Sequence, residues 1–322
     1  MKQIAEPGNY NNPLFVYNPA AGIRNREYVM RSFHRACQRY GWQGWIHETN
    51  EGEDITRIIR EYIVRGCDVV FAGGGDGTIS AVVTALVGTS IPLAIIPLGT
   101  GNLLANQLRI PLQIHQAFAY IKRETTFRYL NALHIHDRYA VLNASIGFSS
   151  GLVENTSRQE KRRFGILAYA WRGLQILIGI QPYRFHLVVD GKQYSIRASE
   201  VYITDPMLLA EEIFLKNLPP EAYQSPFGVF IVRARTLRDY LALIIDVVQG
   251  KAAKSPRIIH LPVNRAIKIL TAKPMAIQAD GEVVCQTPVT VEIHPKAIAL
   301  LIPSSAEKSN IPYYLRMLKE KQ

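Results

Sequence analysis

Residues 67–78 read Cys67-Asp68-Val69-Val70-Phe71-Ala72-Gly73-Gly74-Gly75-Asp76-Gly77-Thr78, an apolar run of β-forming residues that enters four glycines and one carboxylate. Thr78 then opens an uncharged segment, 79–87, with helical character. A strand and a helix joined by a loop without side chains lets backbone N–H groups approach a phosphate, and the helix N-terminus adds a favourable dipole. Asp76 would repel a phosphate on its own. It makes sense there if it holds a cation or accepts a proton. Alone, the loop reads equally well as a plain glycine-rich turn.

Two further loops have the same build. Ile91-Pro92-Leu93-Ala94-Ile95-Ile96-Pro97-Leu98 runs into Gly99-Thr100-Gly101-Asn102 before a helical pattern at 103–108. Near the start, Leu14-Phe15-Val16-Tyr17 leads into Asn18-Pro19-Ala20-Ala21-Gly22. In open α/β sheets such loops gather at the carboxyl ends of the strands and bind ligands there. The pattern Gly-x4-Gly-Lys-Ser/Thr is absent, and Gly-x-Gly-x-x-Gly does not occur in the 73–78 loop. The chain is therefore neither a P-loop NTPase nor a standard dinucleotide-binding Rossmann turn.

Between 14 and 140 apolar strands alternate with helical patterns, which predicts a parallel sheet covered on both faces. Strands are expected at 14–17, 44–47, 69–72 and 93–96, and helices at 28–40, 55–64, 79–87, 103–108 and 113–121. After about residue 130 strands dominate: 127–133, 140–146, 185–189, 193–198, 200–204, 229–233, 266–271, 275–279, 283–286 and 289–293. Asp190-Gly191-Lys192 marks a hairpin. Helices at 164–178 and 236–249 interrupt this half, and a short one is expected at 312–321. The fold class is thus an α/β N-terminal domain with a parallel, Rossmann-like sheet, plus an antiparallel β-rich C-terminal domain. The expected domains are 11–135, 136–303 and a tail, 304–322.

A chain of 322 residues is long enough for two cores. The stretch 77–108 carries no charge, but Pro92, Pro97 and its glycines cut it below the about 20 continuous apolar residues that a spanning helix needs. Residues 1–13 are polar, so no secretory signal is read. Cys37, Cys67 and Cys285 are far apart and without metal spacing, which suits reduced thiols in the cytoplasm. The net charge of +11 is uneven. Residues 1–140 hold 14 Lys/Arg against 11 Asp/Glu, and the rest holds 23 against 15. Lys161-Arg162-Arg163 stands directly before Phe164-Gly165-Ile166-Leu167, an order that suits an anionic membrane surface. No nucleic-acid-binding signature accompanies the charge, and no nucleic-acid partner is expected.

Together, Asn18-Pro19-Ala20-Ala21-Gly22, Gly74-Gly75-Asp76-Gly77-Thr78 and Pro97-Leu98-Gly99-Thr100-Gly101-Asn102 resemble three motifs of the diacylglycerol kinase catalytic family, which includes bacterial lipid kinases and sphingosine kinases. Asp280-Gly281-Glu282 is similar to the family's fourth motif, and Thr49 sits where the family has a nucleotide-contacting Thr. The resemblance spans about 14–303, and it implies that the N-terminal sheet is of NAD kinase-like type. It implies an ATP- and Mg²⁺-dependent lipid kinase that moves the γ-phosphate to a lipid hydroxyl, diacylglycerol or a related lipid. It implies nucleotide contacts from Asn18, Pro19, Ala20, Ala21, Gly22, Thr49, Gly74, Gly75, Asp76, Gly77, Thr78, Gly99, Thr100, Gly101 and Asn102, with Asp76 on the metal side. Asp280 or Glu282, with Asp76 as a third candidate, would accept the substrate proton; an alcohol needs such a base, worth typically about 10²–10⁴-fold. The resemblance also implies that the chain end packs back on the first domain.

Without the companion motifs, Asp280-Gly281 would read as a short hairpin turn. Asn18, Thr78, Thr100 and Asn102 are residue types that cap turns and helices, a role compatible with touching a nucleotide. His134 and His136 share one strand face, but no third ligand is legible, so they read as an exposed strand. Two departures stand out. Leu103 follows Asn102 where many relatives carry an acidic residue. Around 204–228 the acidic stretch that holds a structural Mg²⁺ in many bacterial relatives is missing, so that metal site is not carried over. The alternatives are a kinase of the same fold acting on a soluble substrate such as NAD, and a non-catalytic nucleotide or lipid sensor. The expected location is cytoplasmic and peripheral on membranes, and a homodimer is left open.

Overall fold

The computed structural model describes residues 6–21, 25–123, 125–147, 182–206 and 220–305. In chain order the elements are β1 (Pro13–Tyr17), α1 (Arg26–Tyr40), β2 (Trp45–Glu48), α2 (Ile55–Val64), β3 (Val69–Gly74), α3 (Asp76–Leu86), β4 (Leu93–Pro97), α4 (Leu103–Gln107), α5 (Ile114–Arg123), β5 (Thr125–Ile135), β6 (Arg138–Ala140) and β7 (Asn143–Gly147). There follow β8 (Tyr183–Val189), β9 (Lys192–Ala198), β10 (Glu200–Thr204), β11 (Phe227–Val232), α6 (Leu237–Val248), β12 (Ile258–Val263), β13 (Ala266–Thr271), β14 (Ala276–Ala279), β15 (Glu282–Gln286) and β16 (Val289–Pro303). They form two compact units. The first takes the described residues up to Ala132 and from Pro295, and the second is Leu133–His294. β5 and β16 carry the chain from one unit to the other.

In the first unit β2, β1, β3 and β4 lie side by side, all parallel. Every residue of β1, β3 and β4 is buried, as expected of strands covered on both faces. Helices supply the cover. Phe15 on β1, Phe33 on α1, Phe71 on β3 and Phe118 on α5 pack with ring centroids 5.1–6.4 Å apart. The caps are local and legible: Asn25 accepts from the Glu27 N–H to start α1, and Gly41 closes it in the left-handed conformation. The last part of β16 returns to this unit, where Leu300 pairs in parallel with Leu93 of β4.

The second unit is antiparallel throughout. One sheet runs β12-β11-β10-β7-β14-β15, and a second array orders β8 between β9 and β13, with the first part of β16 beyond β13. Alternating side chains from both, among them Ile146, Phe185, Leu187, Val201, Ile231 and Ile267, close one core. Both expected domain types are therefore present. No helix among the described residues is long and apolar enough to cross a membrane.

The departures from expectation have local causes. Helix α3 begins at Asp76, not 79, because Gly75 serves as its extended N-cap. The run 140–146 is not one strand: the N–H groups of Val141 and Leu142 turn to the Asp280 carboxylate and leave the ladder. β16 does not stop at Ile293. It runs on to Pro303, and within it Lys296 takes φ 51° and donates its N–H to the Asn131 side-chain oxygen. β12 was hidden by the polar His260 and by Pro262 within it. The expected helices at 164–178 and 312–321 lie outside the described residues, as do Lys161-Arg162-Arg163 and most of the tail.

Candidate active site

The three glycine loops meet at the carboxyl ends of β1, β3 and β4, and backbone atoms hold them together. The Asn18 N–H donates to the Gly73 carbonyl at 2.9 Å, and its side-chain amide donates to Thr78 Oγ1 at 3.3 Å. Asn18 Oδ1 accepts from the Ala20 N–H at 2.9 Å. The N–H groups of Leu98 and Gly99 both donate to the Gly74 carbonyl. Asn102, at φ 46° in the left-handed region that Asn tolerates, clasps Gly99 from both sides: Oδ1 accepts its N–H at 3.0 Å and Nδ2 donates to its carbonyl at 2.7 Å. Thr49 follows β2 and donates its N–H to the Tyr17 carbonyl, which aligns it with the first loop.

This close approach explains the residue choice. A Cβ on Gly73 would lie 2.3 Å from the Phe15 ring, and one on Gly99 would lie 2.5 Å from the Gly75 Cα. Gly73 and Gly99 thus have no room for a side chain, and bare backbone is presented just before α3. The leading N–H groups of a helix have no partner within it.

Asp76 is the first residue of α3, and its carboxylate accepts from the N–H groups of Leu103 at 3.3 Å and Leu104 at 3.4 Å. The second loop is thereby tied to the third. These two bonds are long for a carboxylate. A hard cation such as Mg²⁺ is commonly held by one or two carboxylates together with phosphate oxygens and water. Asp76 beside a glycine cradle fits such a nucleotide-bound cation. Gly22 lies outside the described residues.

In the second unit Asp280-Gly281 is the tight turn between β14 and β15. Both residues have positive φ, 47° and 87°, as a two-residue type I′ hairpin requires. Asp280 is 8% exposed. Its Oδ1 accepts from the N–H groups of Leu142 and Asn143, and its Oδ2 from Val141, all at 3.0 Å. Asp190-Gly191, the hairpin between β8 and β9, repeats the device with φ 47° and 88°: Oδ1 accepts from Arg265 and Ala266, and Oδ2 from Asn264. In both turns an Asp grips three successive N–H groups of the short connection that leads into a strand, β7 in one case and β13 in the other. Glu282 differs. Its side chain is 45% exposed and meets Arg138 at 3.1 Å.

Sequence reasoning missed two polar groups here. Buried Gln278 donates to Asn143 Oδ1 and Ser145 Oγ, both at 2.9 Å, and accepts the Gly281 N–H at 2.8 Å. A lone amide in Ala276-Ile277-Gln278-Ala279, two residues before the motif, was the available signal. Arg138 gave none, because its partner is 144 residues away.

Residues 12–130 match the diacylglycerol kinase catalytic domain, and residues 144–302 match the YegS C-terminal NAD kinase beta sandwich-like domain. The chain belongs to the diacylglycerol kinase catalytic-domain family. It is 25% identical over 274 residues to the diacylglycerol kinase of Bacillus subtilis, covering 83% of this chain and 88% of that one. It is 28% identical over 267 residues to an uncharacterized Synechocystis protein, covering 80% of this chain but 61% of the longer relative. A crystal structure of a diacylglycerol kinase from Bacillus anthracis superposes with a TM-score of 0.71 at 19% identity, over 92% of this chain and 99% of that one, and shares the fold.

Proposed function

We propose that this protein is an ATP-dependent lipid kinase that transfers the γ-phosphate of ATP to a lipid hydroxyl, with diacylglycerol the first candidate. The observation that carries this reading is the meeting of three loops of small residues around Asp76 at the head of α3. Phosphoryl transfer asks a protein mainly for positioning and charge neutralisation. The bare backbone at 73–78 and 99–102 suits the phosphates, Asn18, Thr49 and Thr78 suit polar contacts to the nucleotide, and Asp76 would hold Mg²⁺. When bound, the cation would neutralise phosphate charge. The names of the relatives, a diacylglycerol kinase in Bacillus subtilis and a candidate lipid kinase in Staphylococcus haemolyticus, support the lipid acceptor.

Of the two carboxylates in the fourth motif, Glu282 is assigned the proton. Asp280 is spent on three backbone N–H groups and is buried, whereas Glu282 offers an accessible carboxylate. Asp280 is then a positioning residue that sets the turn from which Glu282 extends.

The lipid would be met at an anionic bilayer. On α6, Leu241, Ile244, Ile245 and Val248 are 52–75% exposed and recur at helical spacing. Exposed Arg233, Arg235, Arg238, Lys251 and Lys254 flank this stripe. An apolar helix face between basic residues is the build of an interfacial contact, and each basic residue near an anionic surface is worth about 1 kcal/mol.

The test is a panel of diacylglycerol, ceramide and sphingoid bases in mixed vesicles with Mg·ATP, products identified by mass spectrometry. A phosphomonoester of one of these lipids is the expected result. Absence of transfer to every lipid by protein that binds ATP removes the lipid reading, and formation of NADP⁺ from NAD puts the soluble-substrate alternative in its place.

A further inference from the structure

The period-two pair His134-Ile135-His136 lacked a third ligand in the sequence. The fold supplies two from a distant segment. β5 pairs with β16, and His134 meets Glu292 and His294, which share one face of β16 two residues apart. His134 Nδ1 lies 3.2 Å from Glu292 Oε2, and His294 Nε2 lies 3.8 Å from the same oxygen. The three candidate ligand atoms all fall within 4.8 Å of one another.

We infer that His134, Glu292 and His294 form a binding site for a borderline divalent transition-metal ion, Zn²⁺ first, with a coordination position open to solvent or to an external ligand. Tetrahedral bonds of about 2.0–2.1 Å place ligand atoms roughly 3.3 Å apart. The His134–Glu292 separation already has that value, and His294 needs only a small side-chain rotation, which its partial exposure permits. A separation of 3.8 Å is too long for a hydrogen bond, so two imidazoles converge on one carboxylate oxygen without both bonding to it. Two imidazoles and a carboxylate select zinc, copper or nickel over magnesium, which prefers oxygen. Three protein ligands are the number found in open rather than closed zinc sites.

Tyr139 orders the cluster. It opposes His134 in the β5–β6 pairing, stacks on that ring at 4.6 Å and 23°, and meets the His294 ring edge-on at 5.2 Å. All three ligands belong to the second unit, and the inference does not depend on the kinase reading.

The test uses the full chain, stripped with a chelator. Zn²⁺ is titrated against a chromogenic competitor, and Co²⁺ is followed by its visible absorption, which reports coordination geometry. One ion per chain is expected, with a four-coordinate Co²⁺ spectrum that excess Mg²⁺ does not displace. His134→Ala and His294→Ala should each weaken binding by at least ~10-fold, a loss that even outer-shell changes reach. Asp76→Asn should leave the titration unchanged. Circular dichroism of the metal-free variants checks folding, and His134→Gln and His294→Gln replace any variant that misfolds. Wild-type protein without saturable binding, or binding of unchanged affinity and spectrum in the His variants, overturns the site.

Discussion

Replacing Asp280 by Asn separates the structural carboxylate of the fourth motif from the chemical one. An amide oxygen at Oδ1 keeps the N–H groups of Leu142 and Asn143, but the new NH₂ faces the Val141 N–H, donor against donor. Val141 is buried, so water does not step in. A buried N–H without a partner costs about 1–3 kcal/mol, and weakening the charge-assisted bonds adds to it, about 3 kcal/mol together. For a unit of this size each kcal/mol moves the midpoint by about 2–4 °C, which predicts a fall of about 6–12 °C. Asp190→Asn is the internal control. The same geometry is exposed there, water replaces the lost acceptor, and the fall should be no more than about 4 °C. Glu282→Gln should leave the melt in place and lower kcat by about 10²–10⁴-fold. Differential scanning calorimetry and initial rates, taken well below every midpoint, read the three variants side by side. An Asp280→Asn protein that melts like wild type, or a Glu282→Gln protein that turns over like wild type, refutes the division of labour.

Four further outcomes follow from the same geometry. Gly99→Ala should weaken ATP binding by at least tenfold, because its Cβ would meet the Gly75 Cα at 2.5 Å; isothermal titration with a non-hydrolysable analogue reads this, and unchanged affinity would detach the interlock from the nucleotide. Ile245→Asp, and separately Ala at 161–163, should reduce sedimentation with anionic vesicles at low salt and raise the apparent KM for vesicle substrate without changing ATP affinity; equal binding to neutral vesicles, unaffected by either change, counts against the docking surface. Hydrogen bonds to Arg26 and His47 hold Glu48 and Glu53 below their ordinary values, so their contribution is present above the unfolded carboxylate range near ~4 and is lost as pH falls through their lowered folded values; acid melts should be level at neutral pH and drop below about pH 4. Burial pushes the Cys67 thiol up to about 12, so it should react with a thiol reagent only after unfolding, whereas half-buried Cys37 and Cys285 react sooner.

The first unit was legible because its signals are local. Uninterrupted apolar strands, Asn and Asp caps and glycine loops each act within a few residues, and α2 falls on the expected 55–64. The second unit was less so. Its strands depend on pairing across long separations, as where Asp280 removes Val141 and Leu142 from a ladder 138 or more residues away. Asp76 was read as a ligand for a cation, yet its bonds to Leu103 and Leu104 also make it the link between two loops, a role that no local pattern announces. Asp280 and Asp190 looked unlike each other in the sequence because one carried a motif. The backbone treats them alike. The His134 cluster was invisible for the same reason: Glu292 lies 158 residues away, and His294 lies beyond it on β16.

The central claim, a lipid kinase built on the Asp76 loops, is tested most directly by transfer of labelled γ-phosphate from ATP to diacylglycerol in anionic vesicles, with wild type and Asp76→Asn compared at equal folded concentration. The account predicts phosphatidic acid from wild type, dependence on a divalent cation, and a loss of at least 10²-fold in the variant. Labelled product of equal amount from both proteins, or none from wild type with any lipid while ATP still binds, would contradict it.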